Sequence, residues 1–169
     1  MTKYIFVDLD NTLINAEYLG GNPPKNSKVI TLKGLYFTEK YWARLRPGAL
    51  ELLTALKMVG PVYMLTAAST DYARAWNKEF NLGFKEEDIY AREDSASGNL
   101  IVSEKFPVKG KVFLIDDKDL PYHNTEIKYH FLRGICDSKV KIVLIKPYQG
   151  HLNQSLGVMQ ITEILGKLH

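Results

Sequence analysis

The chain has a single cysteine, Cys136, among 169 residues, so no intramolecular disulfide can form and a reducing compartment is expected. With Gly134 and Asp137 close by, that thiol reads as a packing group rather than a nucleophile. Blocks of five or more like charges are absent: 22 Lys and Arg are scattered among 19 Asp and Glu, for a net charge of +3. That excess permits a phosphate-bearing partner without arguing for one. Long apolar runs are missing too. The run from Tyr4 to Leu9 is broken by Asp8, too short for a signal peptide and far short of the roughly 20 residues that span a bilayer. A cytoplasmic protein with no membrane association is expected. Repeats, low-complexity tracts and interdomain linkers are also lacking, and the length suits one domain, residues 1–169.

The apolar content, 46% hydrophobic against 24% charged, is that of a chain able to bury a core. Short branched and aromatic runs recur at 4–9, 62–67, 112–116 and 140–146. Each is nearly continuous, as in strands buried on both faces of a parallel sheet. Helices are expected over Pro47–Met58, Thr70–Phe80, from Asn124 through the TEIKYHFLR stretch, and over Gln160–Leu168. Strands alternating with helices give an α/β fold, a Rossmann-like doubly wound parallel sheet. Two segments interrupt it. Residues 15–46 carry the loop GGNPPKNS and then two alternating stretches, expected to form a small hairpin insertion. Residues 84–110 form a short polar insertion in which SASGN reads as a turn between two extended pieces. Any cap over the site is therefore minimal.

Ligands of doubly wound sheets sit at the carboxyl ends of the strands. Asp8 and Asp10, Thr66, and Asp116 with Asp117 fall at or just past the carboxyl ends of three different expected strands. Asp8 and Asp10 alone would equally suit an Asx-type turn with Asn11; the coincidence with the other strand ends favours chemistry. Magnesium takes hard oxygen ligands, usually one or two carboxylates with waters and a phosphate. Asp8, Asp116 and a backbone carbonyl near Asp10 suit it. Held in line with phosphorus, Asp8 is a nucleophile able to form an aspartyl phosphate, and Asp10 can protonate the leaving oxygen and later take a proton from water. Thr66 offers a hydroxyl, with backbone amides of Ala67 and its neighbours, to a phosphate oxygen. A lysine must supply compensating charge; Lys105, Lys109 and Lys111 precede the Asp116 strand, and Lys105 is the preferred candidate.

These residues resemble the haloacid dehalogenase superfamily of phosphohydrolases, whose Asp-x-Asp-x-Thr motif matches Asp8, Asp10 and Thr12, whose Thr or Ser after a strand matches Thr66, and whose acidic pair matches Asp116 and Asp117. Within it, LRPGALELL, MLTAASTDYA and YAREDS are similar to the carboxy-terminal-domain phosphatase branch. The resemblance implies a phosphatase with Asp8 as nucleophile, Asp10 as acid and base, Thr66 and a lysine on the phosphate, and Mg2+ held among Asp8, Asp10, Asp116 and Asp117. It also points to Arg46 of the Arg-Pro dipeptide as a substrate-binding residue. The chain departs from that branch at Asp117, where Asn is common, and in the short stretch between Lys105 and Asp116.

A minimal cap suits a phosphate carried on something large, a protein side chain or a nucleic-acid end; a nucleotide or small metabolite and an inactive peptide-binding scaffold are the alternatives. Tyr36, Phe37, Tyr41 and Trp42, interleaved with Lys40, Arg44 and Arg46, read as a small satellite core ahead of a base-stacking surface. His123, after the acidic loop, reads as a surface or packed histidine.

Overall fold

The computed structural model describes residues 1–96, 110–135 and 139–169. Its centre is a five-stranded parallel sheet built from β1 (Lys3–Val7), β5 (Val62–Leu65), β6 (Ile89–Tyr90), β7 (Lys111–Asp116) and β8 (Val140–Leu144), in the order β6-β5-β1-β7-β8. The apolar runs are continuous because both faces are covered. Strand alternation sends Ile5, Val7, Met64, Phe113 and Ile115 into one core and Phe6, Tyr63, Leu65, Val112 and Leu114 into another. The first core is closed by helices α1 (Ala49–Val59), α2 (Thr70–Glu79) and α5 (Val158–Gly166), through Leu52, Leu56, Trp76 and Ile164. Leu132 of α4 (His123–Ile135) joins the second. Among the described residues, no helix is long and apolar enough to cross a membrane.

The strand order reverses at β1. From there the chain winds outward through β5 and β6, then returns to the other side of β1 for β7 and β8. The crevice of a doubly wound sheet lies at that reversal. It opens between the carboxyl ends of β1 and β7, which pair in parallel from Lys3 and Lys111 to Val7 and Ile115.

The insertion after β1 is larger than a hairpin. Its expected pair is β3 (Lys28–Lys33) with β4 (Thr38–Leu45), and β2 (Ile14–Tyr18) adds a third antiparallel strand on the other side of β4, giving the order β2-β4-β3. The sheet is anchored, because Ile30 and Ala43 are buried in the main core and β3 packs against α2. The polar stretch after Phe84 also differs from expectation. Tyr90 is extended in β6, as the first extended piece requires, but that piece ends there and Arg92–Ala96 is a short helix, α3; the second extended piece lies outside the described residues. Asp94 accepts from the Ala91 amide at 2.8 Å and caps that turn. The expected SASGN turn runs on into residues outside those described.

Helix starts follow local chemistry. Ser69 caps α2 by accepting from the Tyr72 amide at 3.3 Å. Gly48 precedes α1 with φ at +89°, where a Cβ would lie 1.9 Å from the Leu156 carbonyl oxygen. Only glycine allows that approach.

Candidate active site

The segment after β1 is held from several sides. The Asp8 amide donates to the Ile115 carbonyl of β7 at 2.9 Å, so the nucleophile candidate continues the sheet by one residue. Asn11 is left-handed, φ 61°, and its carbonyl accepts from the Tyr148 amide at 2.7 Å. Thr12 turns its hydroxyl back to Asp8 Oδ2 at 3.1 Å. The Asp-x-Asp-x-Thr spacing thus makes a closed turn in which Thr12 fixes one oxygen of Asp8.

Asp8 and Asp116 are buried, 5% and 2% exposed. Two carboxylates so placed need a cation. It is Lys128, whose Nζ donates to Asp8 Oδ1 at 2.7 Å and to Asp116 Oδ2 at 2.8 Å. Asp116 Oδ1 accepts from the Lys118 amide at 3.0 Å. Thr125 donates its hydroxyl to the Lys118 carbonyl at 3.0 Å and ties α4 to the acidic loop. Burial pushes the Asp8 carboxyl up to about 7, against the pull of Lys128 and with the push of Asp116. For Lys128 burial opposes the charge, but its two carboxylate partners win and hold it above the ordinary lysine value. The ammonium is therefore permanent near neutral pH.

Asp10 faces the other way. Its Oδ1 accepts from the Tyr72 hydroxyl at 2.7 Å. Desolvation raises it to about 6, with the Tyr72 hydrogen bond acting in the opposite sense, a value suited to moving protons near neutrality. Thr66, 1% exposed, follows β5; its amide donates to the Tyr90 carbonyl at 3.0 Å and its Oγ1 accepts from the Ala68 amide at 3.1 Å. That leaves the hydroxyl proton to give. Asp8, Asp10, Thr66, Ala67, Asp116, Asp117 and Lys128 all line one cavity of about 290 Å³.

The structure thus gathers the sequence candidates Asp8, Asp10, Thr66, Ala67, Asp116 and Asp117, and places Lys111 and Arg46 elsewhere. Lys105 and Lys109 lie outside the described residues. Lys111 opens β7, with its amide on the Thr2 carbonyl; the strand separates it from Asp116 by about 17 Å. Arg46 does not line the cavity. It is 1% exposed, and its guanidinium donates to the Gln154 carbonyl at 2.7 Å and the Thr12 carbonyl at 3.3 Å, above the Tyr148 ring. Two of its N–H groups hold main-chain carbonyls, which ties the turn after β1 to the segment before α5. The Asp10 carboxyl turns to Tyr72, which leaves its backbone carbonyl as the expected metal ligand, and the carboxylate cluster comprises Asp8, Asp116 and Asp117. His123 is exposed at the start of α4.

Lys128 is the cation that the sequence reading, which seeks it before the acidic pair, does not reach. Its signal was present in α4. Thr125, Lys128 and Leu132 recur at spacings of three and four, and all three are buried. A lysine on a buried stripe demands acidic partners.

The same donors fit a hard cation. Among the described residues, Asp8, Asp116 and Asp117 each bring a carboxylate oxygen within 4.8 Å of the others, and the buried Asp117 Oδ2 has no hydrogen-bond partner. Burial and Asp116 raise Asp117 above the usual carboxylate range. An orphaned anionic oxygen beside two more carboxylates matches the all-oxygen preference of magnesium.

The sequence model of the NLI interacting factor-like phosphatase family matches residues 3–126. No curated protein matches the chain. Among solved structures it is similar to one described as Fcp1, an essential RNA polymerase II CTD phosphatase, with a TM-score of 0.60 and 20% identity over 97% of this chain and 48% of that one. A second, fission yeast RNA polymerase II CTD phosphatase Fcp1-R271A bound to beryllium fluoride, gives a TM-score of 0.55 and 19% identity over 97% of this chain and 50% of that one. The chain spans about half the length of these structures. At such identity the likeness speaks for the fold.

Proposed function

The chain belongs to the NLI interacting factor-like phosphatase family, and from that premise we propose that it hydrolyses phosphate monoesters through an aspartyl phosphate on Asp8, with Mg2+ as cofactor. The observation that carries this reading is the ion triad in which the Lys128 ammonium bridges Asp8 and Asp116 at the mouth of the sheet reversal, with Asp10 and Thr66 on the same cavity.

Asp8, Asp116 and Asp117 would hold the metal, with the Asp10 backbone carbonyl. When bound, magnesium neutralises the carboxylates and the phosphate oxygens, so that anion can approach anion. The Asp8 oxygen attacks phosphorus as the bond from phosphorus to the ester oxygen breaks. Asp10 gives its proton to that oxygen, and the alcohol leaves. Water then attacks the aspartyl phosphate, Asp10 takes its proton, the bond between phosphorus and the Asp8 oxygen breaks, and inorganic phosphate departs with Asp8 restored. Lys128 and the Thr66 hydroxyl meet the equatorial oxygens, which carry the charge in phosphoryl transfer.

A large substrate is supported by the surroundings. A second cleft of about 480 Å³, lined by Tyr18, Leu32, Phe37, Tyr41 and Tyr72, adjoins the catalytic cavity through Ala68. It can receive whatever carries the phosphate, and we read that carrier as a protein segment ahead of a nucleic-acid end. Asp8→Asn is expected to abolish magnesium-dependent turnover of an aryl phosphate with the circular-dichroism spectrum unchanged; retained turnover rejects the mechanism. A panel of phosphopeptides, end-phosphorylated oligonucleotides and nucleotides then ranks the carriers, and a preference for free nucleotides rejects the large-substrate reading.

A further inference from the structure

An aspartate carboxyl turns easily about its last torsion. Asp10 carries its proton to a reacting oxygen only if one of its two oxygens is held aside and the other faces the cavity. The structure supplies the hold from another element: Tyr72, in the first turn of α2, donates its hydroxyl to Asp10 Oδ1 at 2.7 Å. The Tyr72 side chain is itself fixed. Its ring meets Tyr41 of the inserted sheet edge-on, with centroids 5.1 Å apart, and Trp76 edge-on at 6.2 Å. Tyr41 in turn stacks on Tyr18 at 4.6 Å.

We propose that Tyr72 is a positioning residue for the proton transfers at this site: it pins Asp10 Oδ1, leaves Oδ2 to carry and return the proton, and ties that geometry to the inserted sheet through Tyr41. The proposal rests on Asp10 as acid and base.

Proton donation matters more as the leaving oxygen becomes more basic. Tyr72→Phe keeps the ring and its contacts and removes only the hydroxyl. Values of kcat/KM, which report the first phosphoryl transfer, are to be measured with Mg2+ for monoesters running from an acidic nitrophenol to a simple alkyl alcohol. The loss in Tyr72→Phe is expected to grow along the series, from about twofold at the acidic end to about tenfold at the alkyl end. A loss equal for every leaving group, or no loss at all, overturns the proposal, since a structural role lowers all rates together. Asp10→Asn in the same series separates the levels. If Asp10→Asn steepens the dependence and Tyr72→Phe does not, only the positioning role falls; if Asp10→Asn runs parallel to the native protein, the acid-base reading falls and the proposal with it.

Discussion

Removing the Lys128 ammonium leaves Asp8 and Asp116 facing each other in a buried site, without one of the two groups proposed to meet the phosphate. Lys128→Met keeps most of the packing volume and deletes the charge. Its kcat/KM on an aryl phosphate is expected to fall by about 10² to 10³, the loss typical of one preorganised electrostatic donor. Folding should weaken by ~3 kcal/mol at neutral pH, the low end for breaking a buried ion pair, because Asp8 can take up a proton in compensation. Urea titration tests this: the deficit should shrink at pH 5. At this scale the carboxylates were legible because aspartates at strand ends are costly and therefore informative. The lysine was not, because α4 mixes polar and apolar residues and its exposed Ile127 blurs the periodicity. Arg46 shows a related ambiguity of sequence: a cation in a motif suggests an anion, and here the guanidinium donates to two main-chain carbonyls.

Between the elements, the Arg46 side chain joins the turn after β1 to the segment before α5. Arg46→Met is expected to lower kcat with little change in KM, because the braced Asp8 turn loosens while no group touching substrate is lost. A rise in KM alone would instead restore Arg46 to the substrate. Gly48→Ala brings a Cβ against the Leu156 carbonyl at a left-handed position and should cost more than ~1 kcal/mol, read as a lowered melting temperature. Four of the five sheet strands and the four longer helices were legible from apolar period and capping. β6 has two residues, too few to show a period, and β2 reads INAEY, whose pairing depends on β4 more than on its own propensity.

For the whole molecule, charge links stability to pH and metal. Asp8 at about 7 and Asp10 at about 6 lie above the ordinary 3.8, so the folded state binds their protons more tightly than the unfolded chain. Their stabilising contribution is full below about pH 4 and is lost as pH rises through 6 and 7. Metal-free protein is therefore expected to lose melting temperature from pH 5 to pH 8 relative to Asp8→Asn, and Mg2+ should raise the melting point at pH 8 far more than at pH 5. Differential scanning fluorimetry of both proteins checks this; a rise unaffected by Asp8→Asn would place the metal elsewhere. The order of strands about β1 was legible only as a class, since sequence tells which segments are buried but not which side of the centre each takes.

The span matched to the family ends at residue 126, yet the footing of the Asp8 turn continues beyond it. Tyr148 holds the Asn11 carbonyl, Gln154 receives Arg46, Leu156 closes on Pro47, and Lys128 lies two positions past that boundary. Modular boundaries drawn from motifs and units of catalysis are thus different objects in this chain. A graft of residues 3–126 onto another scaffold would carry Asp8, Asp10, Asp116 and Asp117 and neither their counter-ion nor the floor on which they rest.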